Sequence, residues 1–237
     1  MAWVLNPILD LLFPHHCDAC GRHAEQWLCD ECLSQLHEQC SEPRCDICGY
    51  PLHNAGEPCP QCLHRPGRLI RRTLRLTLHE GVARHLVHRL KFSRRWPLAS
   101  SLAGLTYGQA YARQLLAETD VIVPVPLHWW RYWRRGFNQS ALLADELAKL
   151  SQHRVVHALR RTRHTHAQST LRSPTARLRN VKDAFAARAG KDIAGKRVLL
   201  IDDVTTTGAT LRAAARALHH LNPAHVNALV LTMADPR

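Results

Sequence analysis

Asp202 and Asp203 end an apolar run at residues 198–201 and lead into Val204, the hydroxyl residues Thr205, Thr206 and Thr207, then Gly208, Ala209 and Thr210. That order of residue types suits the capture of a sugar phosphate. Backbone N–H groups at a helix N-terminus bind a phosphate, and threonine hydroxyls add donors. Gly208 permits close approach of the backbone. The apolar run reads as a buried strand, and open α/β sheets bind ligands at the carboxyl ends of their strands. Two carboxylates there accept hydrogen bonds from ribose hydroxyls, directly or through Mg²⁺. The loop lacks the lysine of a P-loop, which argues against ATP. The plainer reading is a strand-turn-helix with an acidic turn.

A second chemistry lies near the N-terminus. Eight of the nine cysteines form four pairs, each with two residues between the thiols: Cys17 and Cys20, Cys29 and Cys32, Cys45 and Cys48, Cys59 and Cys62. This spacing lets two thiolates reach one metal from a tight turn. Gly21 and Gly49 directly follow two of the pairs, where positive φ is often needed. Four thiolates complete a closed, tetrahedral, structural zinc site, so eight point to two Zn²⁺. Sequential pairing closes the shorter loops, and a cross-brace would use the same ligands. An iron–sulfur cluster and redox-active pairs are the alternatives. Cys40 is left over as a bystander, and His15, His16, His23, His37, His53 and His64 read as surface residues. With so little aliphatic content, this segment needs metal to hold a fold.

These groups need a scaffold, and 237 residues suffice for one large domain or two smaller ones. Residues 73–79 read as an entry strand and 81–91 as a helix with Val82, Leu86, Val87 and Leu90 on one side. A second helix is expected over 97–116, a short buried strand over 121–125, a helix over 140–150 and a strand over 155–159. Residues 160–182 are polar and Arg-rich and read as a long loop. The acid-pair strand at 197–201, a helix at 209–221 and a strand at 226–232 complete the pattern. Strands alternating with helices predict a parallel α/β sheet. Arg65, Pro66 and Gly67 divide the chain into a metal-binding domain, 1–66, and an α/β domain, 67–237.

The run from Trp3 to Phe13 is cut by Asn6, Pro7 and Asp10, is too short to span a bilayer and lacks the charged region of a signal peptide. It reads as an amphipathic segment packed on the domain that follows, with attachment to a membrane surface as the alternative. A reducing, cytoplasmic compartment is therefore expected, in which nine cysteines do not form a disulfide framework.

The formal net charge is +13, with only five lysines among 32 basic residues. Two Cys₄ zinc sites would add about −4, and the basic excess would survive. Arginine forks match phosphates, so a polyanionic partner is favoured over a merely basic surface. Residues 128–137 interleave Trp129, Trp130, Tyr132, Trp133 and Phe137 with Arg131, Arg134 and Arg135. Bases stack on aromatic faces while arginines neutralise phosphates, which is how single strands are held without sequence preference. The same tryptophans could instead pack on the core behind a buried strand. The stretch 89–95 adds a second phosphate-facing candidate.

Three further segments carry a resemblance. They are Val123 to Leu127 followed by Arg135, Gly136, Phe137, Asn138 and Gln139; the spaced set Gln168, Arg177, Asn180 and Phe185; and the double cysteine module. With residues 198–210 they resemble the ComF/GntX family of competence and DNA-utilisation proteins, over almost the whole chain. The resemblance implies a double zinc ribbon joined to a type I phosphoribosyltransferase domain that takes phosphoribosyl pyrophosphate (PRPP) with Mg²⁺. It implies that Asp202 and Asp203 serve catalysis, that Thr205, Thr206, Thr207, Gly208 and Thr210 hold the 5′-phosphate, and that Arg135 with backbone donors of Val125 and Leu127 holds pyrophosphate. Gln168, Arg177 and Asn180 would belong to a flexible lid. Trp129, Trp130, Trp133 and Arg134 remain the candidate contacts to single-stranded DNA.

The family role is the use of DNA taken up from outside, which makes the DNA-uptake machinery an implied partner. Thr206 stands where purine-salvage transferases carry an aspartate base, so a purine acceptor is disfavoured. A nucleobase-salvage transferase and a catalytically inert DNA-binding adaptor are the rival readings.

Overall fold

Residues 198–201 and 226–232 are nearly unbroken apolar runs, and they become neighbouring central strands. Strands covered on both faces read this way because neither face meets water. The computed structural model describes residues 16–62, 69–93, 95–163 and 183–234. Its elements in order are α1 (Asp30–Ser41), β1 (Thr73–Leu78), α2 (Gly81–Phe92), α3 (Pro97–Gly108), α4 (Ala110–Ala117), β2 (Val121–Pro124), α5 (Trp129–Arg135), α6 (Gln139–Ser151), β3 (Arg154–Val155), β4 (Leu159–Arg161), β5 (Phe185–Ala187), β6 (Arg197–Thr205), α7 (Ala209–His219) and β7 (His225–Met233). Five strands form a parallel sheet in the order β1-β7-β6-β2-β3, and β4 pairs antiparallel with β5.

Alternation along β6 assigns the two faces. Leu199 and Ile201 join a core with Leu86 and Leu90 of α2, Leu98 and Leu102 of α3, and Leu143 and Leu147 of α6. Val198 and Leu200 join another with Leu211, Ala214, Ala215 and Leu218 of α7 and with Leu159 and Phe185 of the hairpin. The result is the parallel α/β sheet that the chain's alternation predicts.

Two expected elements divide. The helix expected over 97–116 breaks at Gln109, whose backbone is extended, and Arg113 Nη1 caps the freed carbonyls of Tyr107 and Gly108 at 3.1 and 2.6 Å. The strand expected over 155–159 is cut by a turn in which Ala158 N–H donates to Val156 O. Its first part pairs with β2 and its last residue starts the hairpin. The 66/67 boundary lies outside the described residues.

The cysteine-rich module covers the outer edge of β1, where an exposed strand edge would otherwise invite pairing. Thr73 N–H donates to Ile47 O at 2.7 Å, and Thr77 Oγ1 donates to Gln39 O. Arg44 Nη1 donates to the carbonyls of Arg75 and Leu76 at 2.7 and 3.1 Å, and its guanidinium lies 4.1 Å over the Tyr111 ring. Arg75 is fully buried; its Nε donates to Gly49 O at 2.8 Å, and Glu42 supplies charge at 3.8 Å.

Gly49 is therefore both a knuckle residue and an interface residue. At φ +71° an added Cβ would lie 3.1 Å from Thr73 O and 3.2 Å from the Met233 methyl, whereas Gly21, at φ +79°, has open space around it. Gly21→Ala should cost only the left-handed backbone strain, about 1–2 kcal/mol. Gly49→Ala should add about 1–3 kcal/mol for the collision. Thermal unfolding of the two variants checks this, and equal losses would show that the Gly49 contact is soft.

Candidate functional site

The metal-binding half is built by local turns. Gly21 N–H donates to Cys17 O at 3.0 Å and Gly49 N–H to Cys45 O at 2.9 Å, closing two matching knuckles. Backbone donors then face the thiols, Ala19 N–H at 3.4 Å from Cys17 Sγ and Ile47 N–H at 3.4 Å from Cys45 Sγ. Cys29 is the N-cap residue of α1 and Cys32 sits in its first turn, so the start of the helix sets the spacing of this pair.

The pairs combine sequentially. Cys17, Cys20, Cys29 and Cys32 form one cluster and Cys45, Cys48, Cys59 and Cys62 another, with sulfurs all within 4.8 Å of one another in each. Sulfur–sulfur separations of 3.8, 3.6 and 3.5 Å match the edge of roughly 3.8 Å in a tetrahedron with 2.3 Å Zn–S bonds. Both clusters are thus consistent with structural zinc. Arg22 donates to Cys20 and holds its thiol down at about 6. His16, His23, His37 and His53 are exposed and belong to neither cluster. Cys40 is buried at the interface, and burial pushes its thiol up to about 11.

The other half lies at the carboxyl end of the sheet. Sheet pairing continues past the acid pair to Thr205, so Asp202 and Asp203 lie within β6 rather than just beyond a strand ending at 201. Asp202 is buried, and its Oδ1 accepts from Ser140 Oγ at 2.9 Å and from Asp203 N–H at 3.0 Å. Burial, with the neighbouring Asp203 charge, pushes its carboxyl up to about 7. Near neutral pH it can therefore donate as well as accept. Asp203 Oδ1 accepts from Val204 N–H at 2.8 Å, and its Oδ2 pairs with Lys91 Nζ at 2.9 Å. His79 lies at the same end; its Nδ1 is 2.8 Å from Thr232 Oγ1, and burial followed by the Lys91 and Arg84 charges lowers its pKa.

Beyond Thr205 the chain turns into α7. Gly208 is the N-cap, at φ +71°, with no side chain capping the helix. A Cβ there would sit 3.0 Å from Arg212 Nη1. Thr207 Oγ1 is buried and has no hydrogen-bond partner among the described residues. Thr206 and Thr210 line the same turn.

Residues 135–140 tie these parts together. Gly136, at φ +81°, ends α5. Asn138 caps α6 through Ser140 N–H and donates from Nδ2 to Val125 O at 3.0 Å, fixing the loop after β2. Gln139 Oε1 accepts from Arg135 Nη1 at 3.1 Å, and Arg135 lies 4.9 Å over the Phe92 ring. One expected donor is corrected: Val125 N–H is bonded to Ile201 O at 2.9 Å, because the β2–β6 ladder extends one residue past Pro124. Of the two expected backbone donors, that leaves Leu127.

The aromatic run forms α5, with His128 as its side-chain cap and no buried residue. Trp129 and Trp133 are 68% and 74% exposed, and Trp130 stacks on Trp133 at 5.9 Å. Core packing of these tryptophans is thereby set aside, while Phe137 is the ring that turns inward, edge-on to Trp96 at 6.3 Å. Arg134 is exposed on the same helix. The expectation that 89–95 faces phosphate is corrected for two of its arginines. Arg89 and Arg95 pair with Asp18 Oδ1 at 3.5 and 3.0 Å, because the first knuckle places that acid beside them. Gln168, Arg177 and Asn180 lie outside the described residues.

Sequence reasoning missed Ser140, and it took Lys91 only as part of the basic stretch 89–95, not as the partner of Asp203. Ser140 follows an Asn helix cap and so stands in a first turn, and Lys91 is one of five lysines in an Arg-rich chain.

Comparison with known proteins places two family patterns on the chain. A double zinc ribbon domain matches residues 8–63 and a phosphoribosyl transferase domain matches residues 104–236. The chain is 39% identical over 178 residues to the DNA utilization protein YhgH of Escherichia coli K12, covering 73% of this chain and 77% of that one. It is 32% identical to competence protein F of Haemophilus influenzae, over 87% of this chain and 90% of that one. It is 26% identical to competence protein ComFC of Bacillus subtilis, over 82% and 78%.

Metal analysis of the purified chain should find two zinc ions per molecule, one for each cysteine cluster. Chelation should unfold the cysteine-rich module ahead of the sheet, since binding energy in such sites is folding energy. Iron in place of zinc, or a folded module without metal, would contradict the assignment.

Proposed function

Since the chain belongs to the ComF/GntX family of double-zinc-ribbon phosphoribosyltransferase-like proteins, we propose that it binds PRPP at the carboxyl end of β6 and single-stranded DNA along α5, in the use of incoming DNA. The observation that carries the first part is the β6–α7 turn. A glycine in the left-handed region opens α7 without a side-chain cap, and the buried Thr207 hydroxyl beside it has no partner among the described residues. Uncapped N–H groups at a helix N-terminus, with an unpartnered hydroxyl in the adjoining turn, suit a 5′-phosphate. Thr205, Thr206 and Thr210 complete that cradle, and Asp202 and Asp203 take the ribose hydroxyls.

The diphosphate lies toward Leu127 N–H and Arg135, whose position is held by Gln139 and Phe92. Two carboxylates at one strand end are hard oxygen donors and fit Mg²⁺ accompanying the diphosphate. When bound, the metal would supply neutralisation of leaving-group charge. The reaction class is displacement of pyrophosphate from C1. For the second part, Trp129, Trp130 and Trp133 offer exposed ring faces and Arg134 a phosphate contact on one short helix. The DNA-uptake machinery is the protein partner this role calls for.

Saturating PRPP with Mg²⁺ should stabilise the wild-type chain. Ligand at 100 times its Kd adds about 2.7 kcal/mol, a rise of roughly 5–10 °C in Tm. Asp202→Asn combined with Asp203→Asn should remove that rise while the unliganded chain stays folded. An undiminished rise in the double variant would refute the site, and release of pyrophosphate with an added acceptor would establish turnover.

For DNA, anisotropy titrations of short single strands at several salt concentrations separate two terms. Trp133→Ala should weaken binding by about 1–3 kcal/mol with little change in salt slope. Arg134→Ala should reduce the slope by about 0.7. Because both side chains are exposed, fold loss is not expected to interfere. Wild-type protein that ignores single strands at moderate salt would remove α5 as a DNA site.

A further inference from the structure

The segment linking α2 to α3 is gripped from two sides. Toward the cysteine-rich module, Asp18 lies between Cys17 and Cys20 and pairs with Arg89 and Arg95. Toward the sheet, Lys91 Nζ reaches Asp203 Oδ2 at 2.9 Å, Phe92 lies under the Arg135 guanidinium, and Trp96 meets Phe137 edge-on. Lys91 stands in the last turn of α2, and its side chain is only 20% exposed. The other lysines among the described residues behave differently. Lys149 and Lys196 make local surface pairs with Glu146 and Asp192, and Lys191 is exposed. In a chain that meets nearly every need for positive charge with arginine, Lys91 is, among the described residues, the lysine turned into the site.

We propose that Lys91 is a ligand-binding residue of this site, the cation that takes the C1 diphosphate. This rests on the phosphoribosyl reading above. Asp203 needs a positive or donating neighbour, and Lys91 supplies it. When ribose hydroxyls donate to Asp203, the ammonium is released from that duty beside a ligand carrying several negative charges. An ammonium is a point charge on a flexible stem and can change partners by rotation. Arg135 is less free to do so, because Gln139 and Phe92 hold its fork in place. The two cations thus divide the work: Arg135 is a fixed contact and Lys91 a swinging one. Asp18 is the positioning residue. By holding Arg89 and Arg95 on either side of Lys91, it sets where the end of α2 stands, and it ties that end to the first cysteine cluster.

The test compares two ligands on the full-length, zinc-loaded chain. Ribose 5-phosphate carries the sugar and 5′-phosphate, and PRPP adds the diphosphate. Isothermal titration with Mg²⁺ present gives both Kd values. In the wild type PRPP should bind more tightly. Lys91→Met should shrink that preference by about tenfold or more, the worth of a charged hydrogen bond, with ribose 5-phosphate affinity little changed. Lys91→Arg should retain part of the preference, and serves as the measurement if Lys91→Met does not fold. Asp18→Asn, with two zinc ions verified, should lower the preference by a smaller factor. If Lys91→Met keeps the full preference, or loses both ligands equally, the ammonium is only a counter-ion of Asp203 and the proposal fails. A wild-type chain that binds neither ligand would instead overturn the phosphoribosyl reading itself.

Discussion

A carboxylate in a protein interior is costly unless its oxygens are satisfied. Asp202 lies on the central strand β6 with its oxygen bonded to Ser140 and to the next backbone N–H. Ser140 is in the first turn of α6, so satisfying this one group fixes the start of that helix against the sheet. The same turn then organises its surroundings: Asn138 caps α6 and holds the loop after β2, and Gln139 holds Arg135. Three consecutive side chains, Asn138, Gln139 and Ser140, therefore take their roles from a helix start placed by one buried acid. The residual strain appears in Asp202 itself, whose carboxyl is raised by burial.

The cysteine-rich module is more than an attachment. Its own apolar content is small, with Leu28 and Leu36 packed among the buried cysteines. Those residues belong to the same core as α2, α3 and α6, so the module and the sheet share a hydrophobic interior. Arg44, Arg75 and Glu42 bring charge into that junction, where desolvation lowers the pKa of Arg75. Breaking one member would leave the others buried without compensation, which makes the junction specific as well as cohesive. The Ile47 carbonyl, which accepts from Thr73 N–H, and the Gly49 carbonyl, which accepts from Arg75 Nε, also cover the open edge of β1.

Charge is distributed unevenly over the molecule. Asp18 neutralises two arginines near the first knuckle, whereas α5 presents arginines with exposed tryptophans and no acid in its seven residues. An exposed, aromatic helix is unfavourable in water unless it serves contact. Its base lies against the site through Arg135, Phe92 and Phe137.

Features written within a few consecutive residues were legible from the sequence. The cysteine knuckles, the acid-threonine-glycine turn and the apolar strand runs depend on spacing, and local backbone geometry follows from spacing. The two zinc sites and the parallel α/β sheet could be read for that reason. What depended on distant partners could not. Which cysteine pairs combine was open until the module folded into sequential clusters. The N–H of Val125 looked available, but sheet register gave it to Ile201. Arg89 and Arg95 looked like phosphate contacts until Asp18 came beside them. Ser140 and Lys91 carry no local signature of their pairing with Asp202 and Asp203, because each meets its partner on β6 only once helices pack on the sheet. The sequence by itself determined which groups can do chemistry, and tertiary structure decided which remain available, because burial and pairing are properties of neighbours brought together by folding.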